Sequence, residues 1–345
     1  MAADVRRIAT EEAFAVPEQF DGYRALGQST WSSPDVVFWN RVLGNEDTRL
    51  VDGLLDLDGA RIADMDANDV DMQLLLLTSP GVQIFDADTA CEMAELANDR
   101  LAEAIARHPD RYAGLAAFAP QAPERAAREM ERAINELHLN GFVVNSHTNG
   151  EYLDQEKFWP ILEAAEALDA PIYIHPRPLP EPAIGPYLEQ ELWAGIWGYA
   201  AETGLHGLRL ITSGVFDRFP RLKIVLGHMG EGLPFFVYRI DYMSRLLRQI
   251  GSQKRYELDP SEYLRRNFLI TTSGMNHAPP LELCLKVLGP ENIMWAIDYP
   301  YQHSPDAVEF MDAAPVSDDV REQIYARNAE RVFGIGARAA AAGSP

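Results

Sequence analysis

Apolar runs without regular polar alternation recur along almost the whole chain, separated by amphipathic stretches. Runs of this kind, rich in Val, Ile and Leu, are typical of parallel strands that are buried on both faces. We predict strands at residues 7–13, 71–78, 112–119, 141–147, 171–175, 223–226, 267–273 and 292–298. Helical spacing between them predicts helices at residues 58–68, 86–108, 123–137, 157–168, 189–216, 234–249, 279–288 and 318–333.

The alternation of strand and helix predicts an α/β fold in which eight parallel strands close into a (β/α)₈ TIM barrel. One domain over residues 1–345 fits this period. Residues 14–58, after the first strand, form a long insertion rich in aromatic residues, Gly and Pro, which is typical of a lid, a substrate wall or a subunit contact. The Ala- and Gly-rich tail, residues 337–345, is expected to fray.

The composition restricts the classes of partner. Lys and Arg number 30 against 52 Asp and Glu, a formal net charge of −22, and such a charge repels nucleic acid and acidic membrane surfaces. No apolar run reaches the ~20 residues of a membrane helix, and the chain starts without a basic stretch followed by an apolar one, so a cytoplasmic location is expected. Cys91 and Cys284 lack metal-site spacing and are expected to be reduced.

Polar side chains stand at the C-terminal ends of several predicted strands, where parallel barrels place their active sites. They are Glu11, His147, His175, His228 and Asp298. Glu11 and Glu12 are adjacent, and the two-residue period of a strand sends them to opposite faces. One of the two therefore points into the barrel mouth, and the spacing does not decide which. We expect the strand-end side chains to share one site.

These residues offer imidazole nitrogens and carboxylate oxygens but no thiolate, a set that suits Mn²⁺ or Zn²⁺ with open coordination positions. Asp298 would be costly to bury in its ionised form, so it is either the N-cap of the next helix or a metal ligand that also carries a proton. Glu231 can fix the tautomer of His228, three residues earlier. His147 can contact substrate or pair with Asn145.

Several segments taken together resemble one family. They are RIATEEAF, RIADMDANDVD, LTSPGVQ, NSHTNGEYLD, YIHP, KIVLGHMGEGLP, YRIDYM and AIDYPYQ. In this combination the chain resembles the amidohydrolase superfamily, and within it the branch of metal-dependent, non-oxidative decarboxylases that acts on γ-resorcylate, 2,3-dihydroxybenzoate and 5-carboxyvanillate. Hydrolytic members begin with His-x-His and many decarboxylases with Glu-x-His. Ala13 departs from both patterns and resembles the 5-carboxyvanillate enzymes, as do TSPGVQ and DYPYQ.

The resemblance implies a carbon–carbon lyase that removes CO₂ from an ortho-hydroxylated aromatic carboxylate, 5-carboxyvanillate or a similar hydroxybenzoate. It implies one divalent ion per subunit, Mn²⁺ favoured and Zn²⁺ as the alternative, held by Glu11, His175 and Asp298. His228 is then a further ligand or a substrate contact. Asp298 would protonate the ring carbon, assisted by His228 and Glu231.

The resemblance also implies which residues contact the small aromatic carboxylate. They are Arg239, Arg49, His147 and Tyr301. Arg239 is expected to reach into the site of a neighbouring subunit, which implies a homo-dimer or a homo-tetramer. Arg49 is expected to be either a substrate contact or a solvated surface side chain. Two other functions stay open: a metal-dependent hydrolase or hydratase, for example of a lactone or an amide, and a barrel that only binds a ligand.

Overall fold

Eight parallel strands follow one another around the sheet in chain order. The computed structural model describes residues 5–28, 33–181, 183–252 and 256–336, so the tail predicted to fray, residues 337–345, lies outside the described residues. The strands are β1 Ile8–Phe14, β2 Met72–Leu77, β3 Tyr112–Ala117, β4 Gly141–Asn145, β5 Ile172–His175, β6 Ile224–Leu226, β7 Phe268–Thr271 and β8 Ile293–Met294. Each strand pairs in parallel with the next.

Main-chain hydrogen bonds between β1 and the segment that begins at β8 close the barrel. Thr10 N donates to Trp295 O (3.1 Å), and Ala13 N donates to Tyr299 O (2.7 Å). The predicted (β/α)₈ barrel is thereby confirmed. β8 is shorter than predicted, with only two residues. The main chain after it is held by these separate contacts with β1 and leaves the extended region at Asp298, where φ is 77°.

Helices occupy the connections between the strands. Their bounds are Pro17–Gly27, Pro34–Leu43, Arg49–Leu55, Ala60–Ala67, Ala87–Arg107, Pro123–Asn135, Trp159–Ala167, Gly185–Leu188, Gly198–Ser213, Val215–Arg218, Leu233–Gln249, Pro260–Asn267, Ala278–Leu288, Ser304–Asp312, Asp318–Glu322 and Asn328–Phe333. The first three of these lie in the insertion after β1. None of the described helices is long and apolar enough to cross a membrane.

Some helix bounds differ from the prediction. The helix Pro260–Asn267 was not predicted, although Asp259 and Glu262 form a capping box at its start. The helix Ser304–Asp312 was also missed, and it likewise begins with Pro in its first turn. The predicted helix over residues 318–333 is interrupted by a π-helical turn at Gln323–Arg327. Capping residues and a first-turn Pro therefore indicated where the two missed helices begin, whereas the spacing of apolar residues did not predict these helices.

The hydrophobic core is continuous around the barrel because the strands are buried on both faces. The helix Ala87–Arg107 packs on β3 through small side chains, and the approach is close. A Cβ atom at Gly114 would lie 2.7 Å from Leu101 Cδ2, so a larger residue there would require the Leu101 side chain to move. Cys91 and Cys284 are buried and free, as expected.

A buried arginine ties the insertion to the barrel. Arg61, in the helix Ala60–Ala67, has no solvent exposure. Its guanidinium donates hydrogen bonds to Ala13 O (2.6 Å) and Gly53 O (2.7 Å), and to Gln73 Oε1 (3.1 Å). The same group lies 4.5 Å from the ring centroid of Tyr299. One side chain therefore connects β1, β2, the insertion and the segment after β8.

We predict that Arg61→Met lowers the free energy of unfolding by about 3 kcal/mol or more. The substitution removes a donor from two buried acceptors, Ala13 O and Gln73 Oε1, at about 1–3 kcal/mol each. The quantity is measured by urea unfolding. The control is Arg24→Met, because Arg24 is half-exposed in a pair with Asp21 and should contribute less than about 1 kcal/mol. A loss below about 1 kcal/mol for Arg61→Met would show that the insertion is held by other contacts.

Candidate active site

Three strand-end side chains converge at the C-terminal mouth of the barrel. Glu11, His175 and Asp298 each offer a ligand atom, and these atoms lie within 4.8 Å of one another. His175 Nε2 is 3.6 Å from Glu11 Oε1. All three residues are buried, with 1%, 7% and 8% of their surface exposed. The barrel thus brings together residues that are far apart in the sequence.

The orientation of Glu11 is fixed from across the barrel. Tyr173 on β5 and Thr271 on β7 both donate hydrogen bonds to Glu11 Oε2, at 3.0 Å for Thr271. Gly227 permits this approach, because a Cβ atom at that position would lie 2.7 Å from the same oxygen. The other oxygen, Oε1, is buried and has no hydrogen-bond donor among the described residues.

Glu12 takes the opposite orientation, which settles a choice that the sequence left open. Its carboxylate accepts the main-chain N–H groups of Ile297 and Tyr299 instead of entering the cluster. The pairing of β1 with β2 is irregular between Ala9 and Glu12, and this irregularity is not visible in the residue types. Burial raises the pKa of Glu12, and the two N–H donors lower it by less, so the pKa is about 8.

His175 is prepared to be a ligand through its Nε2 atom. Its Nδ1–H donates to Pro176 O at 2.9 Å, which fixes the tautomer and leaves the Nε2 lone pair on the side of Glu11. A backbone acceptor on the second ring nitrogen is the usual support for a metal-binding histidine. The sequence HP at the end of β5 gives no direct indication of this contact.

The donor set fits a divalent cation. Within the described part of the chain, Oε1 of Glu11 is a buried oxygen without a hydrogen-bond donor. A cation would bind to it, and buried negative charge without such compensation is costly. Burial raises the pKa of Asp298, and the negative charge of Glu11 adds to the effect, whereas His228 opposes it. Carboxylate oxygens with an imidazole nitrogen suit Mn²⁺ or Zn²⁺. Glu11, His175 and Asp298 therefore form a candidate metal site.

The segment after β6 is an unusual left-handed turn. Residues 228–232 all have positive φ: His228 48°, Met229 55°, Gly230 77°, Glu231 53° and Gly232 79°. Non-glycine residues in this region cost of order 1–3 kcal/mol each, and such strain concentrates at functional sites. Its effect is to fold Glu231 back onto His228, with Oε1 2.8 Å from Nδ1. The predicted pairing of these two residues is present.

His228 lies beside the cluster of three. Its Nε2 atom is 3.9 Å from Asp298 Oδ2, the distance of an ion pair rather than of a hydrogen bond. Burial lowers the pKa of His228, but the negative charges of Glu231 and Glu11 outweigh burial and hold the pKa well above its usual value. The ring is thus held where it can face Asp298 on one edge and Glu231 on the other.

Two of the predicted substrate contacts lie close to this site or to its rim. Tyr301 N donates to Asp298 O (2.8 Å), and its hydroxyl lies 2.6 Å from Thr78 Oγ1. Arg49 is paired with Asp47, and its side chain is 90% exposed. Arg49 and Tyr301 both line an open cavity of about 430 Å³. Arg49 therefore lines a surface cavity beside Tyr301, and Glu11, His175 and Asp298 are not among the residues that line this cavity.

The other two predicted substrate contacts have different surroundings. His147 Nε2 is 2.9 Å from Pro178 O, and its Nδ1 accepts from Gly150 N, so both ring nitrogens bond to the main chain. Burial lowers the pKa of His147 to about 3. Arg239 is exposed on the helix Leu233–Gln249, and its side chain makes no hydrogen bond or ion pair with another described residue. The pairing of His147 with Asn145 that we considered is replaced by these main-chain contacts.

Two features of the site were missed in the sequence. Tyr173 lies two residues before His175, so the period of a strand places both on one face, and this signal was available. Arg177 forms a buried ion pair with Asp35 of the insertion and donates to His147 O (2.9 Å). No local pattern marks that pair, because its members are separated by 142 residues.

Comparison with known proteins places these features in a family. The amidohydrolase family matches residues 36–335. A γ-resorcylate decarboxylase from Polaromonas sp. strain JS666 is 36% identical over 337 residues, covering 95% of this chain and 98% of that protein. The crystal structure of 5-carboxyvanillate decarboxylase from Sphingomonas paucimobilis has a TM-score of 0.93 at 48% identity, covering 96% of this chain and 99% of that one.

A third relative carries ligands. The structure of 5-carboxyvanillate decarboxylase from Novosphingobium aromaticivorans contains manganese and 4-hydroxy-3-methoxy-5-nitrobenzoic acid, and it has a TM-score of 0.93 at 42% identity over 97% of each chain. These similarities extend over nearly the whole chain and confirm the resemblance seen in the sequence. The chain belongs to the amidohydrolase family and, within it, to the branch of metal-dependent decarboxylases that act on aromatic carboxylic acids.

Proposed function

We propose that this enzyme removes CO₂ from an ortho-hydroxylated benzoate, with 5-carboxyvanillate as the favoured substrate. The observation that carries the proposal is the buried cluster of Glu11, His175 and Asp298, in which one oxygen of Glu11 has no hydrogen-bond partner among the described residues. The choice of substrate is supported by the 48% identity to a 5-carboxyvanillate decarboxylase over nearly the whole chain. Ala13, in place of a strand-one histidine, supports the same choice.

We propose one divalent ion per subunit, Mn²⁺ rather than Zn²⁺, held by Glu11, His175 and Asp298. Manganese in the structure of a relative supports this choice of metal. His228, whose Nε2 is 3.9 Å from Asp298 Oδ2, would then be a further ligand of the ion or a contact of the substrate. When bound, the ion would act as a Lewis acid and stabilise the negative charge on the phenol and carboxylate oxygens of the substrate.

The side chains provide the proton. In the proposed reaction Asp298 gives its proton to the ring carbon that bears the carboxylate, and a ring π-electron pair forms the new C–H bond. The bond to the carboxyl carbon then breaks, its electron pair restores the aromatic ring, and CO₂ leaves. His228, 25% exposed at its side chain and oriented by Glu231, returns a proton from solvent to Asp298.

Positive charge for the anionic substrate is proposed to come in part from a second copy of the chain. With a net charge of −22, the surface of the protein repels a carboxylate. Arg239 lies on a helix whose exposed aromatic residues form a strip: Phe235 71%, Phe236 48%, Tyr238 80% and Tyr242 57% exposed. A large exposed apolar surface of this kind marks a protein contact. We propose that this strip is covered in a homo-dimer or homo-tetramer and that Arg239 then enters the partner's site.

Within one chain, Tyr301 and Arg49 are proposed to contact the substrate from the surface cavity that they share. A hydroxyl and a guanidinium there could bind a ring substituent or the second carboxylate of 5-carboxyvanillate. His147 was predicted for the same task. To perform it, His147 would have to release Pro178 O or Gly150 N.

The Mn²⁺-loaded enzyme should release CO₂ from 5-carboxyvanillate, and Asp298→Asn should lower kcat by about 10²-fold or more, because the variant cannot donate the proton. CO₂ is measured by a coupled assay, alongside γ-resorcylate and a panel of lactones. The exposed Asp306 provides the control Asp306→Asn, which should keep full activity. Near-normal CO₂ release from Asp298→Asn would exclude it as the acid, and acid formation without CO₂ would favour a hydrolase.

Mn²⁺ should stabilise the protein, by about 2.7 kcal/mol at 100 times its Kd. His175→Asn should abolish the stabilisation because it removes the ligand nitrogen, whereas His303→Asn, at a 72% exposed side chain, should not. The measurement is thermal unfolding with Mn²⁺ and after chelation. An equal effect of Mn²⁺ on wild type and His175→Asn would place the ion elsewhere.

Arg239→Ala should raise KM by about tenfold or more, because a charge-assisted hydrogen bond to the substrate is lost. Arg245→Ala on the same helix is the control, because Arg245 is already paired with Asp259. Mixing subunits that carry Arg239→Ala with subunits that carry Asp298→Asn should restore CO₂ release at low substrate concentration, since each mixed dimer has one intact site. An unchanged KM, or no recovery on mixing, would contradict action across subunits.

A further inference from the structure

The main chain around Asp298 is held in an unusual way. Asp298 has φ of 77°, in the left-handed region, at a point where regular strand pairing has ended with β8. The residues on either side of it, Ile297 and Tyr299, both donate their N–H groups to the side chain of Glu12. Ile297 N is 2.9 Å from Oε1, and Tyr299 N is 2.9 Å from Oε2. Glu12 has no solvent exposure.

The hydrogen bonds from Ile297 N and Tyr299 N to Glu12 take the place of regular hydrogen bonds between strands, at a point where strand pairing cannot continue. A main chain that turns into the left-handed region cannot present its N–H groups in strand register, and buried N–H groups need acceptors. The two oxygens of one carboxylate meet this need on both sides of the turn. The carbonyl of Asp298 is also engaged, accepting from Tyr301 N (2.8 Å) and Gln302 N (2.9 Å). The direction of the Asp298 side chain is therefore set by contacts of its main chain.

Glu12 is itself held firmly. It is the residue after Glu11 on β1, so the same strand carries one carboxylate of the cluster and the acceptor that shapes the main chain of another. Ala13, the next residue, donates to Tyr299 O (2.7 Å), and the guanidinium of Arg61 lies 4.5 Å from the centroid of the Tyr299 ring. The contact between β1 and residues 297–299 is thus made both by the Glu12 side chain and by the main chain of Ala13.

We propose that Glu12 is a positioning residue, whose carboxylate sets the main-chain conformation at Asp298 and thereby places the Asp298 side chain against Glu11 and His175. The inference rests on the proposed metal site, because its consequence is the geometry of that site. Glu12 does not touch the substrate or the reacting atoms. Residues that orient a ligand in this indirect way typically change metal affinity by 10- to 100-fold when they are replaced.

The test compares Mn²⁺ affinity in two matched variants. Glu12→Gln keeps the size of the side chain but turns an NH₂ group toward one of the two N–H donors, so only one contact survives. Its Kd for Mn²⁺, measured by isothermal titration calorimetry, should rise at least about tenfold. The rate of decarboxylation should fall at limiting Mn²⁺ and recover in part at saturating Mn²⁺. Glu12→Asp, one methylene shorter, should give an effect of the same sign.

Thr272→Val is the matched control. Thr272, the residue after β7, also bonds to this segment. Its hydroxyl accepts from Ala296 N (3.1 Å) and donates to Ala296 O (3.3 Å), but it forms no hydrogen bond with Ile297 or Tyr299, the residues flanking Asp298. Loss of the Thr272 hydroxyl should lower thermal stability. The Kd for Mn²⁺ should stay within about twofold of wild type, because the orientation of the metal ligands does not change. The comparison separates positioning from simple stabilisation of the barrel.

The outcomes distinguish the two proposals. If wild type binds Mn²⁺ and both Glu12 variants bind it within about twofold of wild type, Glu12 has no positioning role while the metal site stands. An equal loss of affinity in Thr272→Val and Glu12→Gln would show that Glu12 only stabilises the barrel. Absence of Mn²⁺ binding by wild type would overturn the metal site and the role of Glu12 together. Should Glu12→Gln fail to fold, Glu12→Asp provides the same comparison.

Discussion

A buried carboxylate needs either positive charge or hydrogen-bond donors, and the barrel mouth is built around this requirement. Only one of the two carboxylate oxygens of Glu11 has donors. Tyr173 and Thr271 donate to Oε2, while Oε1 has no donor among the described residues. His175 Nε2 and the carboxylate of Asp298 stand near that oxygen. A divalent cation resolves this imbalance, so the same arrangement that would be unfavourable in a structural core is suited to a metal-dependent lyase.

Two left-handed segments of the main chain at the site each orient a side chain. The left-handed run over residues 228–232 folds Glu231 onto His228. The single left-handed residue Asp298 is flanked by N–H groups that Glu12 accepts. Strained backbone persists only where surrounding contacts over-determine it. Here those contacts come from the surrounding barrel, whose strands are buried.

The sequence was sufficient for the barrel because buried parallel strands produce apolar runs whatever their partners. Strand ends such as His175 could then be placed on one rim. Other features depended on contacts between distant segments. The orientation of Glu11 rather than Glu12 into the mouth depends on an irregularity in strand pairing, and the main-chain partners of His147 lie in loops. The buried pair of Arg177 with Asp35 likewise joins segments that share no local pattern.

The central claim is that one cation is bound by three side chains from distant parts of the chain. The most direct measurement is a crystal structure of the protein grown with Mn²⁺, with anomalous diffraction recorded at the manganese absorption edge. The account predicts one anomalous peak per subunit, within bonding distance of Glu11 Oε1, His175 Nε2 and a carboxylate oxygen of Asp298. A map without a peak between these three atoms, or with the peak at a different set of ligands, would contradict it.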